Sequence, residues 1–174
     1  MNLPLSFSVV TAIKDGFAEF SKTYPTILAQ TFSDFEWLII DDGSRENVAS
    51  SFPHLASDPR VRVIKQETGQ GQTSALNLGI RQSKADWIIR MDSDDLCHPS
   101  RFEATKKAVE LNPSAQLIFS DFSILDESDR IWAEVRLRTP LSPSFFRYLK
   151  EKNNPVCHPT VSFRKVDSKG ALRL

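Results

Sequence analysis

Along this chain, short uninterrupted apolar runs alternate with stretches in which apolar residues return every three or four positions. That alternation predicts a mostly parallel β-sheet covered by helices. Residues 7–13 read as the first strand. After them Phe17, Phe20, Tyr24, Ile27 and Leu28 mark one apolar helical face, which Pro25 is expected to kink or split. Residues 36–40 form a β-branched and aromatic run ending on Asp41-Asp42-Gly43-Ser44, a turn signal that leads into a short helix near 46–52. Residues 61–65 give a third strand and 87–91 a fourth; between them, 73–82 reads as a helix packing through Ala75, Leu76, Leu78, Gly79 and Ile80.

The fourth strand runs into Asp92-Ser93-Asp94-Asp95. Beyond it, Ser100 and Glu103 have the spacing of a capping box, which predicts a helix to about residue 111, stopped by Asn112-Pro113. Residues 116–120 read as a fifth strand, 131–137 and 160–164 as later ones, with a short helix near 143–150. No internal repeat or low-complexity tract interrupts this order, which is that of one domain over residues 1–174.

Composition narrows the possibilities. With 174 residues, 40% of them hydrophobic, the chain is long enough for one well-buried core. Lys and Arg number 22 and Asp and Glu 22, so no overall basic field attracts nucleic acid, and no nucleic-acid partner is expected. No apolar stretch approaches the roughly 20 residues of a membrane helix, so no transmembrane segment is expected. The uncharged start, residues 1–13, lacks a basic region and a small-residue cleavage site and is read as strand rather than leader. Two cysteines, Cys97 and Cys157, fit a reducing cytoplasm, at most peripheral to a membrane. Each begins a Cys-His-Pro triplet, but neighbouring residues of an extended segment point opposite ways and close a zinc tetrahedron poorly, so coincidence is the better reading.

The candidate chemistry lies where strands end. Ligands of open α/β sheets bind outside the carboxyl ends of the strands. Here those ends are acidic: Lys14-Asp15, Asp41-Asp42 and Asp92-Ser93-Asp94-Asp95. If the strands are parallel, these carboxylates meet on one rim, an arrangement that calls for a cation. Hard oxygen ligands suit Mg²⁺ or Mn²⁺, which commonly share a site with substrate phosphate. Gly69-Gln70-Gly71 lacks the P-loop and G-x-G-x-x-G patterns and reads as a tight turn feeding the helix after it. A phosphotransferase with an aspartyl nucleophile fits less well, because the acidic loop follows the fourth strand and reads Asp94-Asp95-Leu96.

An ordered set of short motifs resembles one family. It comprises Ser8-Val9-Val10-Thr11-Ala12, Gln30-Thr31-Phe32, Glu36-Trp37-Leu38-Ile39-Ile40-Asp41-Asp42-Gly43-Ser44, and Gly71 with Ala75-Leu76-Asn77-Leu78-Gly79. Met91-Asp92-Ser93-Asp94-Asp95, Pro99 with Arg101-Phe102, Phe119-Ser120-Asp121, and His158-Pro159-Thr160 with Phe163-Arg164 complete it. Over residues 7–165 the chain resembles the nucleotide-diphospho-sugar glycosyltransferases of family 2.

The resemblance implies a three-layer GT-A fold, an α/β architecture with helices on both faces of a mostly parallel central sheet. It implies a metal-dependent inverting transferase that moves a sugar from a nucleotide diphosphate donor, expected to be a UDP-sugar, to a saccharide or lipid-linked hydroxyl acceptor in surface polysaccharide synthesis. Thr11, Ala12, Asp15, Asp41, Asp42, Asp92, Asp94 and His158 are implied to line the donor site, and Asp42 to accept the imide N–H of a uracil or thymine base. Asp94 and Asp95 are implied to hold Mn²⁺ or Mg²⁺. Residues 7–125 would form the nucleotide-sugar half and 126–174 the start of an acceptor side.

Three positions depart from the pattern. Lys14-Asp15 stands where a Tyr-Asn pair often ends the first strand, so an aromatic base-stacking partner is missing. The chain ends at Leu174, where relatives continue into a region bearing the catalytic base, so the base is expected outside this chain and a non-catalytic nucleotide-sugar-binding module is the alternative. Asp121 is the nearest base candidate by type, though a polar residue closing the fifth strand is its simpler reading. Pro25 is the third departure. Oligomeric state is left open.

Overall fold

The structure, a computed structural model, describes residues 6–136 and 156–166. The central strands are β1 (Phe7–Ile13), β2 (Phe35–Asp41), β3 (Val61–Lys65) and β4 (Trp87–Arg90). Helices α1 (Phe17–Leu28), α2 (Val48–Ser51), α3 (Gln72–Gln82) and α4 (Arg101–Leu111) connect or follow them. The shorter strands β5 (Leu117–Ile118), β6 (Phe122–Leu125), β7 (Ile131–Val135) and β8 (Ser162–Arg164) complete the order, with a 3₁₀ turn at His158–Thr160.

Six strands form one sheet in the order β3-β2-β1-β4-β8-β5. β1 pairs in parallel with β2 and β4, and β2 with β3, while β8 is antiparallel to both β4 and β5. The expected mixed but mostly parallel sheet is therefore present. β8 begins on the edge where β1 to β4 end, which brings residues 156–161 to that rim, and β5, parallel to β4, sends Asp121 off the same edge.

β1 and β2 read as continuous apolar runs because both their faces are covered, the signature of central parallel strands. Odd-numbered residues such as Val9, Trp37 and Ile89 join Phe20 and Ile27 of α1 and Phe102 of α4 in the larger core cluster. Even-numbered residues such as Val10, Leu38, Ile40 and Ile88 pack with Ala75 and Ile80 of α3 in a smaller one. Fully burying a side chain of this size contributes roughly 1.5–3 kcal/mol, so the first cluster dominates stability. The α3 face is less filled and leaves a cavity of about 640 Å³ that reaches Arg90 and His158.

Several local expectations change. α1 runs unbroken through Pro25. The carbonyl that Pro25 leaves without its N–H partner belongs to Ser21, which is exposed to water, while Phe20, Thr23 and Ile27 anchor the buried face. The Ser100–Glu103 capping box does not form: Ser100 Oγ lies 3.0 Å from His98 Nδ1, and Glu103 accepts a 2.9 Å bond from Thr31. Gln30, two residues past the end of α1, instead caps α4 from outside, accepting from Phe102 N at 3.1 Å. The fifth strand shrinks to two residues, and β6, unforeseen in the sequence, pairs with β7 as a hairpin. The strand expected from residue 160 starts at Ser162, after the 3₁₀ turn. The helix expected at 143–150 and the end of the strand expected over 131–137 lie outside the described residues.

Candidate functional site

Five strand ends share one rim, and each contributes a differently built piece of it. At the end of β2, Asp41 and Asp42 are 1% and 3% exposed. Asp41 Oδ1 accepts from Ser44 N at 2.8 Å, closing the turn that the sequence signalled. Asp42 reaches across to the loop after β3: its two oxygens accept from Gln70 N at 2.7 Å and Gly71 N at 2.9 Å. Gly43, at φ +76°, lets the turn approach that loop, since a Cβ there would lie 2.5 Å from Gly69 N. Asp41 Oδ2 and Gln66 Oε1 are buried acceptors without a hydrogen-bond partner among the described residues, the kind of place where a water or a ligand N–H settles.

β1 contributes Lys14, Asp15 and Gly16. Asp15 and Gly16 both adopt left-handed backbone, φ 55° and 59°. Asp15 N donates to Ser44 Oγ at 2.9 Å, and its carboxylate accepts from Arg45 N at 3.0 Å. That main-chain N–H, with smaller help from the charges of Arg45 and Lys14, holds the Asp15 carboxyl below its ordinary value despite some burial. The β1 tip is thus tied to the β2 turn. Thr11 is placed elsewhere: it is fully buried and accepts from Trp37 Nε1 at 3.0 Å, so its hydroxyl belongs to the core. Ala12 is half-buried against the α3-side cluster.

β4 delivers the acidic loop. Asp92, Asp94 and Asp95 present carboxylate oxygens within 4.8 Å of one another, the only such metal-ligand group among the described residues. The two Cys-His pairs do not join it. Arg90 holds Asp92 in a bidentate pair at 2.5 Å. Burial pushes the Asp92 carboxyl above its ordinary value, against the pull of Arg90, while Asp94 adds repulsion and His158 a smaller attraction. Asp95 is likewise pushed up, first by burial and then by repulsion from Asp92 and Asp94, with Arg90 and Arg101 opposing. Arg101 sits behind the loop, donating to Met91 Sδ and to Arg90 O, each at 3.2 Å.

Helix α1 and the residue after its C-cap, Gln30, position this loop through uncharged side chains. Thr23 Oγ1 donates to Ser93 O at 3.0 Å, Thr26 Oγ1 accepts from Cys97 N at 3.0 Å, and Gln30 Nε2 donates to His98 O at 2.8 Å. The first turn of α3 spans the two acidic ends of the rim. Gly71 N bonds Asp42, and the next residue, Gln72, donates to Asp92 Oδ1 at 3.5 Å. The N-cap residue, Gly71, supplies no side-chain cap to the first-turn N–H groups of this helix.

Arg90, Arg101 and Gln72 were not singled out as site residues from sequence. The first two carried a signal: Arg90 stands two residues before Asp92, and Arg101 follows Pro99 within the motif set. Gln72 carried none, because only the fold sets α3 beside β4.

The family described as Glycosyl transferase family 2 matches residues 8–169. An uncharacterised glycosyltransferase of Haemophilus influenzae is 37% identical over 106 residues, covering 59% of this chain and 34% of that protein. The O-antigen biosynthesis glycosyltransferase WbnJ of Escherichia coli is 32% identical over 142 residues, covering 80% of this chain and 54% of that protein. The chain thus spans between about a third and about half the length of these two relatives. In fold it is similar to S. aureus TarS 1–349 in complex with UDP, with a TM-score of 0.70 at 16% identity over 91% of this chain and 46% of that one. With the family matched from Ser8 to beyond β8, this chain belongs to glycosyl transferase family 2.

Proposed function

We propose that this chain is the donor-binding part of an inverting glycosyltransferase that transfers a sugar from a UDP-sugar to a hydroxyl acceptor with the help of Mn²⁺ or Mg²⁺. One observation carries the reading: the three clustered carboxylates after β4 are bridged to Asp42 by the first turn of α3. A base near Asp42 and a diphosphate near Asp94 would then lie at the two ends of one rim. The UDP complex of the similarly folded TarS supports a uridine donor, and the name of WbnJ supports a saccharide acceptor in surface polysaccharide synthesis.

The donor set fits a hard divalent cation, since carboxylate oxygens alone make it up and burial and mutual repulsion already disfavour its charge. Asp94 and Asp95 would hold the ion, which when bound supplies positive charge beside the departing diphosphate. Arg90 fixes the Asp92 carboxylate for the ribose or sugar diphosphate. The uncapped first turn of α3 adds N–H dipoles facing the same region. Asp42 keeps lone pairs beyond the two that Gln70 and Gly71 use, and these can accept the imide N–H of a base. His158, exposed at the same rim, adds a group for phosphate or acceptor. No helix of the described residues is long and apolar enough to cross a membrane.

Calorimetric titration of UDP with and without Mn²⁺ tests the reading. We expect Mn²⁺-dependent binding to the wild-type chain, and Asp94→Ala to weaken it at least about tenfold, the loss of one charge-assisted contact. Unchanged affinity of Asp94→Ala for UDP in Mn²⁺ overturns the assignment of this loop.

A further inference from the structure

Lys14 is a cation set in an acidic rim, directly after β1. Its backbone is fixed from both sides, by β1 before it and by the left-handed Asp15 and Gly16 after it, with Asp15 bound to Ser44 and Arg45. The side chain crosses to the loop after β3. A Cβ on Gly69 would collide with Lys14 Nζ and lie 2.9 Å from the main-chain oxygen of Asp42, so the ammonium lies over the Gly69 backbone on the side of the Asp42 main chain. Among the described residues Nζ makes no hydrogen bond or ion pair, and the neighbouring Asp15 carboxylate is engaged by Arg45.

A lysine ammonium offers donors and no acceptor, whereas an ionised aspartate only accepts. Set against the same 69–71 loop, the ammonium over Gly69 and the carboxylate on Gln70 N and Gly71 N, they match a ring edge on which an N–H adjoins a carbonyl. Uracil, thymine and guanine present that edge; cytosine presents an accepting ring nitrogen where the aspartate needs an N–H, and a donating amine on the flank where uracil carries its 4-carbonyl. We propose that Lys14 determines base specificity, donating to the carbonyl beside the ring N–H that Asp42 accepts, so that the site selects uridine over cytidine diphosphates. This rests on the donor reading of Asp42 given under Proposed function. The position that would carry a stacking aromatic ring carries a polar selector instead.

Calorimetry with UDP and CDP, in Mn²⁺, on the wild-type, Lys14→Ala and Lys14→Arg chains decides it. The wild-type chain binds UDP more tightly than CDP. Lys14→Ala loses about tenfold for UDP and less than about twofold for CDP, while Lys14→Arg keeps the preference. Lys14 is exposed, so the variants fold, as thermal melts verify. Equal losses for UDP and CDP that vanish at high salt would assign Lys14 to the phosphates and overturn the proposal. Failure of the wild-type chain to bind any nucleotide would instead overturn the donor reading itself.

Discussion

At the β2 end of the rim, Asp41 and Asp42 accept main-chain N–H groups from Ser44, Gln70 and Gly71. At the β4 end, three carboxylates face two guanidinium groups, and the partners of Asp92 are the side chains of Arg90 and Gln72. The first arrangement fixes position: amide dipoles hold a buried charge without adding charge of their own. The second leaves charge unbalanced, and the raised Asp92 and Asp95 carboxyls express it. A recognition element benefits from the first and a cation site from the second, so one rim holds both a rigid end and an electrostatically strained end.

The rigid end breaks most easily at Gly43. An alanine there adopts φ +76° and drives its Cβ to 2.5 Å from Gly69 N and 2.9 Å from Thr68 C, both backbone atoms that cannot swing aside. We expect Gly43→Ala to lose about 2–4 kcal/mol in urea denaturation and to detach the 69–71 loop from Asp42. A loss within ~0.5 kcal/mol would mean that close packing does not hold this end.

The strained end should prove mechanically secure despite its charge, because α1 and Gln30 just beyond it hold it. Gln30 is 6% exposed, donates to Thr26 O and His98 O, and accepts from Phe102 N. Gln30→Ala leaves two of these loop and helix groups without a partner, and we expect it to reduce stability by about 2 kcal/mol, read as a lower urea midpoint. An effect of a few tenths would shift the support of the acidic loop from Gln30 to its arginines.

How much of this was readable in advance follows the same division. β1 and β2 are continuous apolar runs and were visible within a residue or two, because burial on both faces leaves an unmistakable pattern. The acidic tips were visible because strand ends are local. The bond from Asp42 to Gly71 joins residues 29 apart, and the bond from Gln72 to Asp92 joins residues 20 apart, and neither has a local signature. The Ser100 capping box was misleading for the same reason: a residue far away in sequence, Gln30 just past α1, already served the N–H at Phe102. β6 escaped because its residues are largely exposed and four residues carry little period.

The smallest expected effect is the most diagnostic of strain at the β4 end. Asp95 has its carboxyl pushed up by burial and by Asp92 and Asp94, so the fold prefers it protonated more than the unfolded chain does. Such a group contributes stability that is present below its unfolded value, 3.8, and is lost as pH rises through the raised folded value. Asp95→Asn removes that loss. In chelator near neutral pH the variant should therefore be more stable than the wild type by about 1 kcal/mol, or about 2–4 °C in Tm. The advantage should shrink as pH falls through the same window and vanish once both chains are uncharged there. Adding Mn²⁺ should raise the wild-type Tm and narrow or reverse the difference, because only the wild type retains the full carboxylate set. A variant less stable than the wild type in chelator at neutral pH would show that Asp95 is balanced by Arg90 and Arg101 after all, and the contrast between the two ends of the rim would dissolve.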